Sequence, residues 1–111
     1  MELLQGNTYY LPIKITNSNG SVVTDENVAK IVVTLGEINK DSDDGDITFD
    51  SSSQTWRVSL TEEDTFVLKG NTKWQARLLF KDGTVDGTIP DVCYVYKSIN
   101  FERLTGGEEN A

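Results

Sequence analysis

Residues 60–85 narrow the folds open to this chain more than any other stretch: Leu60-Thr-Glu-Glu-Asp-Thr-Phe-Val-Leu-Lys-Gly-Asn-Thr-Lys-Trp-Gln-Ala-Arg-Leu-Leu-Phe-Lys-Asp-Gly-Thr-Val85. Helix, strand and turn signals follow one another here without overlap. Thr61 has the hydroxyl of an N-cap, and Glu62, Glu63 and Asp64 stand where the exposed N–H groups of a first helical turn favour carboxylates. Asp64 occupies the third position, for which a capping box prefers the longer Glu or Gln. From Lys73 the apolar period changes to two, with Trp74, Ala76, Leu78 and Phe80 on one face. Lys73, Gln75, Arg77 and Lys81 take the other, interrupted by Leu79. Asp82-Gly83 is the pair that a two-residue type I′ hairpin turn requires, and such a turn is expected there.

The rest of the chain repeats this grammar of short strands and polar turns. Tyr9, Leu11, Ile13 and Ile15 alternate with Tyr10, Pro12, Lys14 and Thr16, which predicts a strand with one core face. Pro12 has no N–H to give a ladder, so that strand belongs at a sheet edge. Asn19-Gly20 is a second type I′ signal, returning the chain through Val22 and Val23. After a polar connection, Ile31, Val33 and Leu35 mark a strand. Residues 39–46, Asn-Lys-Asp-Ser-Asp-Asp-Gly-Asp, read as a solvated acidic loop. Ile47 and Phe49, a serine turn at 51–53, and then Trp56, Val58 and Leu60 predict a hairpin. Residues 88–101 read as a last extended segment with bulk on both faces: Cys93, Val95 and Ile99 on one, Val92, Tyr94 and Tyr96 on the other. Such a segment is either covered on both sides or exposes an aromatic patch. The pattern as a whole predicts an all-β fold, an antiparallel β-sandwich of about seven strands with one short helical turn. A chain of 111 residues with 37% hydrophobic content suits one thin two-layer domain. It is expected to span residues 1–105, followed by a flexible polar tail at 106–111.

Composition limits the chemistry. Without a histidine there is no Ser-His or Cys-His dyad and no imidazole ligand for a metal, so no catalytic site, cofactor or metal is expected. The 18 acidic residues sit mostly in turns, where Asp is explained by local backbone hydrogen bonding. Asp41-Ser42-Asp43-Asp44-Gly45-Asp46 has the oxygen density that Ca²⁺ needs. Aligning Gly45 with the invariant EF-hand glycine, however, puts Lys40 at the first ligand position and Ser51 where a bidentate Glu belongs. A net charge of −8 opposes binding to duplex DNA. No apolar run approaches the roughly 20 residues that span a bilayer. The first residues lack the basic and apolar regions of a secretory signal, so synthesis in the cytoplasm is expected. The lone Cys93, between Val92 and Tyr94, reads as a buried small hydrophobe.

Aromatic residues are the remaining candidates. Trp56 and Trp74 fall in phase with the apolar faces of their strands and are expected in the core. Tyr10, Tyr94, Tyr96 and Leu79 point outward in the predicted strands. They form one docking patch if the first and last strands are neighbours, and separate surface side chains otherwise.

Leu60-Thr61-Glu62-Glu63-Asp64-Thr65, Gln75-Ala76-Arg77 and Lys81-Asp82-Gly83-Thr84 resemble a segment of small structural proteins of tailed bacteriophages, above all those of Gram-positive hosts. Gln5-Gly6-Asn7-Thr8-Tyr9-Tyr10-Leu11-Pro12-Ile13 is similar to their opening strand. More loosely, the chain resembles the immunoglobulin-like N-terminal domain of phage baseplate upper proteins. The resemblance implies an immunoglobulin-like sandwich without an inter-sheet disulfide. It also implies a non-enzymatic structural or accessory role in a virion, as a tail, baseplate, neck or head-decorating component. Expected partners are other virion proteins or copies of the chain, with a host-surface glycan as the alternative.

Overall fold

The computed structural model describes residues 2–104; the tail expected at 106–111 lies outside the described residues. Nine strands form in these: β1 (Glu2–Leu4), β2 (Tyr9–Ile13), β3 (Val28–Leu35), β4 (Ile38–Asp41), β5 (Ile47–Asp50), β6 (Thr55–Leu60), β7 (Gly70–Phe80), β8 (Val85–Gly87) and β9 (Asp91–Tyr96). Helix α1 (Glu62–Val67) joins β6 to β7, and a 3₁₀ turn (Ser42–Asp44) joins β4 to β5. One sheet has the order β1-β9-β7-β3-β4, with β8 paired to β7; the other is β2-β6-β5. All pairings between strands are antiparallel except β1 with β9, which is parallel. The alternation read from the sequence decides which side chains meet between the sheets. Leu11, Ile13, Val58 and Leu60 of the second sheet face Ile31, Val33, Ala76 and Leu78 of the first, all buried. Pro12 lies on β2, which has only β6 beside it.

Several expectations need correction. Neither turn is type I′. Only Gly20 (φ 83°) and Gly83 (φ 91°) have positive φ there, so Asn19 and Asp82 do not. Gly20 N–H bonds Asn17 C=O while Asn17 N–H bonds Ser21 C=O; Gly83 N–H bonds Phe80 C=O while Phe80 N–H bonds Thr84 C=O. Both are three-residue loops, a type I turn closed by a left-handed glycine. The Asn17 carboxamide accepts from Asn19 and Ser21 N–H, and the Asp82 carboxylate accepts from Thr84 N–H, fixing that choice.

The acidic loop at 39–46 is largely ordered structure. Its first residues complete β4, and Asp41 caps the 3₁₀ turn by accepting from Asp43 N–H. Lys30 bridges Asp41 and Asp43 at 3.1 and 3.5 Å. Main-chain pairing with β3 overrides the polar composition. The final extended segment is shorter than expected: β9 stops at Tyr96, and Ile99, assigned to the inner face, is fully exposed. Only Cys93 and Val95 of that set reach the core.

The two tryptophans differ. Trp56 is 4% exposed, donates its indole N–H to Val23 C=O at 3.1 Å, and meets Phe49 edge-on at 5.0 Å. Trp74 shares the inner face but is half-buried and packs against the end of the core. Beside it a small, partly open cavity of about 10 Å³ lies among Leu11, Val33, Leu35, Lys40 and Val58.

Helix α1 is where the ends of the described chain converge. The capping box is complete despite the shorter side chain: Thr61 Oγ1 accepts from Asp64 N–H at 3.1 Å, and the Asp64 carboxylate accepts from Thr61 N–H at 2.8 Å. Lys40, paired across from inward-facing Val33, reaches Asp64 at 2.7 Å. Burial pushes the Asp64 carboxyl up, but the bonds from Lys40 and Thr61 outweigh it and hold it below its ordinary value. The fully buried Thr65 hydroxyl accepts from Gly6 N–H at 2.9 Å and faces Asn7 C=O at 2.9 Å and Glu62 C=O at 3.1 Å. Gln5, 5% exposed, donates to Leu68 C=O at 2.7 Å and accepts from Ser98 N–H at 3.1 Å. A Cβ at Gly6 would stand 2.8 Å from the Phe66 ring, so that bend requires glycine.

Two outcomes follow. Trp56→Ala is expected to cost about 3–5 kcal/mol in urea unfolding, and Trp74→Ala distinctly less; the opposite order would contradict the burial. Asp64 has a depressed pKa in the fold, so its contribution is present above the unfolded value, near 3.8, and is lost as pH falls through the lower folded one. Unfolding free energy measured against pH should therefore fall less steeply in Asp64→Asn than in the wild type over that acid range. Equal slopes would show that the Lys40–Asp64 pair contributes nothing.

Candidate interaction face

The outer face of the first sheet gathers the exposed aromatics of β9 and the side chains of β1. Parallel register sets Glu2 beside Tyr94 and Leu4 beside Tyr96, and alternation turns these four outward while Leu3 and Val95 go inward. The Tyr94 and Tyr96 rings meet edge to face with centroids 4.7 Å apart. Leu4, Val92, Tyr94 and Tyr96 are each 40–49% exposed, so the cluster is a real surface patch, not a buried one with ragged edges. The Tyr96 hydroxyl donates to the Glu2 carboxylate at 2.8 Å. That bond, helped by the nearby negative charge, pushes the Tyr96 pKa up. On β7, Asn71 lies across from Tyr94 and Lys73 across from Val92. Among the described residues neither Lys73 nor Arg77, farther along this face, forms an ion pair. The patch therefore has an apolar centre with the Glu2 carboxylate on the β1 side and Lys73 on the β7 side, in a chain of net charge −8.

The structure divides the four sequence-predicted side chains. Tyr94 and Tyr96 are brought together. Leu79 is on the same outer face, but well along β7 from Asn71, about 26 Å at the rise of a strand. Its neighbours are Lys30 and Val85. Tyr10, 74% exposed, projects from β2 on the outer face of the opposite sheet and shares no surface with the tyrosine pair. Val92 lies on the face it was expected to share with Tyr94 and Tyr96, and Leu4 is the member of the patch that sequence reading missed. β1 is too short for its alternation to register, and nothing in its sequence signals a parallel partner at the other end of the chain.

The edge beside the patch is closed. Leu4 N–H donates to the Tyr9 hydroxyl at 2.9 Å, and Leu4 C=O accepts from Asn7 N–H at 3.3 Å. With those groups occupied, contact at this end falls on the sheet face and not on β1 as a template for another strand.

The other sequence candidates are explained locally. Cys93 is fully buried between the sheets, and burial raises its pKa, so its thiol is a core group. In the 3₁₀ turn the carboxylates of Asp41 and Asp43 are engaged by a backbone N–H and by Lys30. Asp50, held down to about 2, is engaged by Ser52, Ser53 and Arg57. Among the described residues no three acidic or thiol groups converge as metal ligands.

The chain matches no family model, no curated protein and no solved structure.

Glu2→Gln should return the Tyr96 titration toward the ordinary phenol range, because the charge that disfavours tyrosinate is removed. A pH titration followed on the Tyr96 ring signals by NMR checks this. An unchanged midpoint for Tyr96 would mean that the Glu2 bond is not kept in solution.

Proposed function

We propose that this chain is a non-enzymatic, immunoglobulin-like structural or accessory module of a tailed-phage virion, acting through protein–protein contacts. The observation that carries the reading is the Tyr94–Tyr96 patch with Leu4 and Val92 on an open sheet face. Exposed tyrosines with an apolar centre and a polar surround are the composition of a protein interface, because Tyr brings contact area at low entropic cost. The acidic charge keeps free copies apart, so burial of this patch comes with a specific partner. Lys73 and Arg77 favour a partner that is acidic beside its apolar centre.

The strand order supports the immunoglobulin-like assignment. A β2-β6-β5 sheet faces one containing β9-β7-β3-β4, and a short helix sits between β6 and β7. That is the arrangement of the B-E-D and G-F-C sheets with a helical E–F corner. The virion context rests on the resemblance of the 60–65, 75–77, 81–84 and 5–13 segments to phage structural proteins. The non-enzymatic assignment rests on the absence of histidine and on the burial of the one thiol.

Mass spectrometry of purified particles from the phage carrying this gene should find the chain as a stoichiometric component. Tyr94→Ala combined with Tyr96→Ala should lower its incorporation at least tenfold while circular dichroism of the purified variant stays unchanged. Absence of the chain from particles would overturn the virion role. Full incorporation of the folded double variant would move the docking surface elsewhere.

A further inference from the structure

Beyond the tyrosine face, the segment at residues 97–104 has the geometry of an exchangeable strap. It belongs to no strand and none of its residues is buried; Ile99 is fully exposed, and Phe101 and Leu104 are more than half exposed. Much of its hydrogen bonding is within itself, through Ser98, Asn100 and the Arg103–Phe101 bond. Its attachments to the rest of the described chain converge on one surface. Ser98 N–H reaches Gln5, Phe101 meets Phe66 at 5.8 Å, and Leu104 N–H reaches the buried Glu62 carboxylate at 2.9 Å. Arg103 sits with its guanidinium 3.8 Å over the Phe66 ring, and the two arms of its fork engage both oxygens of Glu63. The receiving side chains all belong to α1. The Phe66 ring lies beside Gly6, and Glu62 and Glu63 follow the N-cap in the first turn. A ring face with adjacent carboxylates is a receptor for a guanidinium.

We propose that α1 is an arginine receptor which the strap fills within its own subunit when the protein is free, and which the strap of a neighbouring copy fills when copies are held side by side. The same Glu63, Phe66 and Arg103 contacts serve both states, so the exchange creates no new chemistry and loses none. Tethering sets the balance. A strap on its own chain competes at an effective concentration of roughly millimolar, so dilute wild-type protein is monomeric, and exchange is favoured only where a particle concentrates the copies. This inference does not depend on what the tyrosine face binds.

Charge reversal separates exchange from a merely internal clamp. In Glu63→Arg the strap's Arg103 meets a second guanidinium on α1, and in Arg103→Glu a strap carboxylate meets Glu63, so neither closes on itself. Mixed in equal amounts, each strap finds an opposite charge on the other variant. Native mass spectrometry and sedimentation velocity should show each single variant monomeric and a one-to-one heterodimer in the mixture, dispersed by high salt. The double variant Glu63→Arg with Arg103→Glu should be monomeric, with the strap closed again as judged by hydrogen exchange at 97–104. Circular dichroism of every variant confirms that the sandwich persists, as expected for side chains this exposed. A mixture of folded single variants that stays monomeric would overturn the exchange. Unchanged hydrogen exchange at 97–104 in the single variants would overturn the receptor itself.

Discussion

Thr65 is fully buried, and its one hydroxyl lies within hydrogen-bond distance of three main-chain groups from two parts of the chain. The arrangement of the molecule's α1 end depends on this group. Gly6 N–H and Asn7 C=O belong to the bend between β1 and β2, the point at which the chain leaves the first sheet for the second. A bend taken out of both sheets has main-chain groups that no ladder satisfies, and leaving them unpaired in a buried place costs about 1–3 kcal/mol each. A six-residue helix supplies what the ladders cannot. Its start is secured by the Thr61–Asp64 box, and Gln5 binds the carbonyl just past its end, so one short element holds the crossing between sheets in place. A valine at position 65 would fill the same space and satisfy none of these groups.

Legibility in the sequence follows the range of the interaction involved. The strands with clean alternation, β2, β3, β6 and β7, are visible because their burial pattern repeats every two residues and needs no knowledge of the partner. Thr61 is visible as a cap because its bond closes three residues away. The turns at Asn19-Gly20 and Asp82-Gly83 are visible as turns but not as a type, since Asn17 and Asp82 side chains tip the balance between two- and three-residue loops. β4 is hidden because its ladder to β3 is made by backbone groups, which polar residues supply as well as apolar ones. Gln5, Glu62 and Thr65 are hidden for a stronger reason. Their partners lie far off in the chain, from 42 residues for Glu62 with Leu104 to 93 for Gln5 with Ser98, and a polar residue in a polar stretch gives no local sign of burial.

The candidate face was legible by half. Tyr94 and Tyr96 stand two apart on a strand with bulk on both sides, which already implies that one side is open. Leu4 and Glu2 join them only through the parallel pairing of β1 with β9. Tyr10 has the same outward phase as the pair, yet phase fixes the face of a strand and not the sheet to which the strand belongs. β2 pairs with β6 and β1 with β9, so the bend at 5–8 carries Tyr10 to the far side of the sandwich. Neighbours in sequence, β1 and β2 lie in different sheets.

A sandwich open at its edges would be expected to associate through them, and here three of the edge strands are obstructed, each in its own way. β1 is short, with its Leu4 groups taken by Tyr9 and Asn7. β2 carries Pro12. β4 turns Lys40 inward against Asp64, and a strand added alongside would have to pack over that charge. Obstruction of these three edges shifts weight to the faces, and the two faces are not equivalent. The outer face of β2-β6-β5 offers Tyr10 as a single exposed ring. The outer face of the larger sheet offers two tyrosines packed edge to face, two aliphatic neighbours and two cations without ion-pair partners among the described residues. A copy docking this face against the same face of another would join two molecules that each carry a charge of −8. Pairing of free copies through the tyrosines is therefore opposed by their net charge, and a surface that does not share that charge meets no such cost.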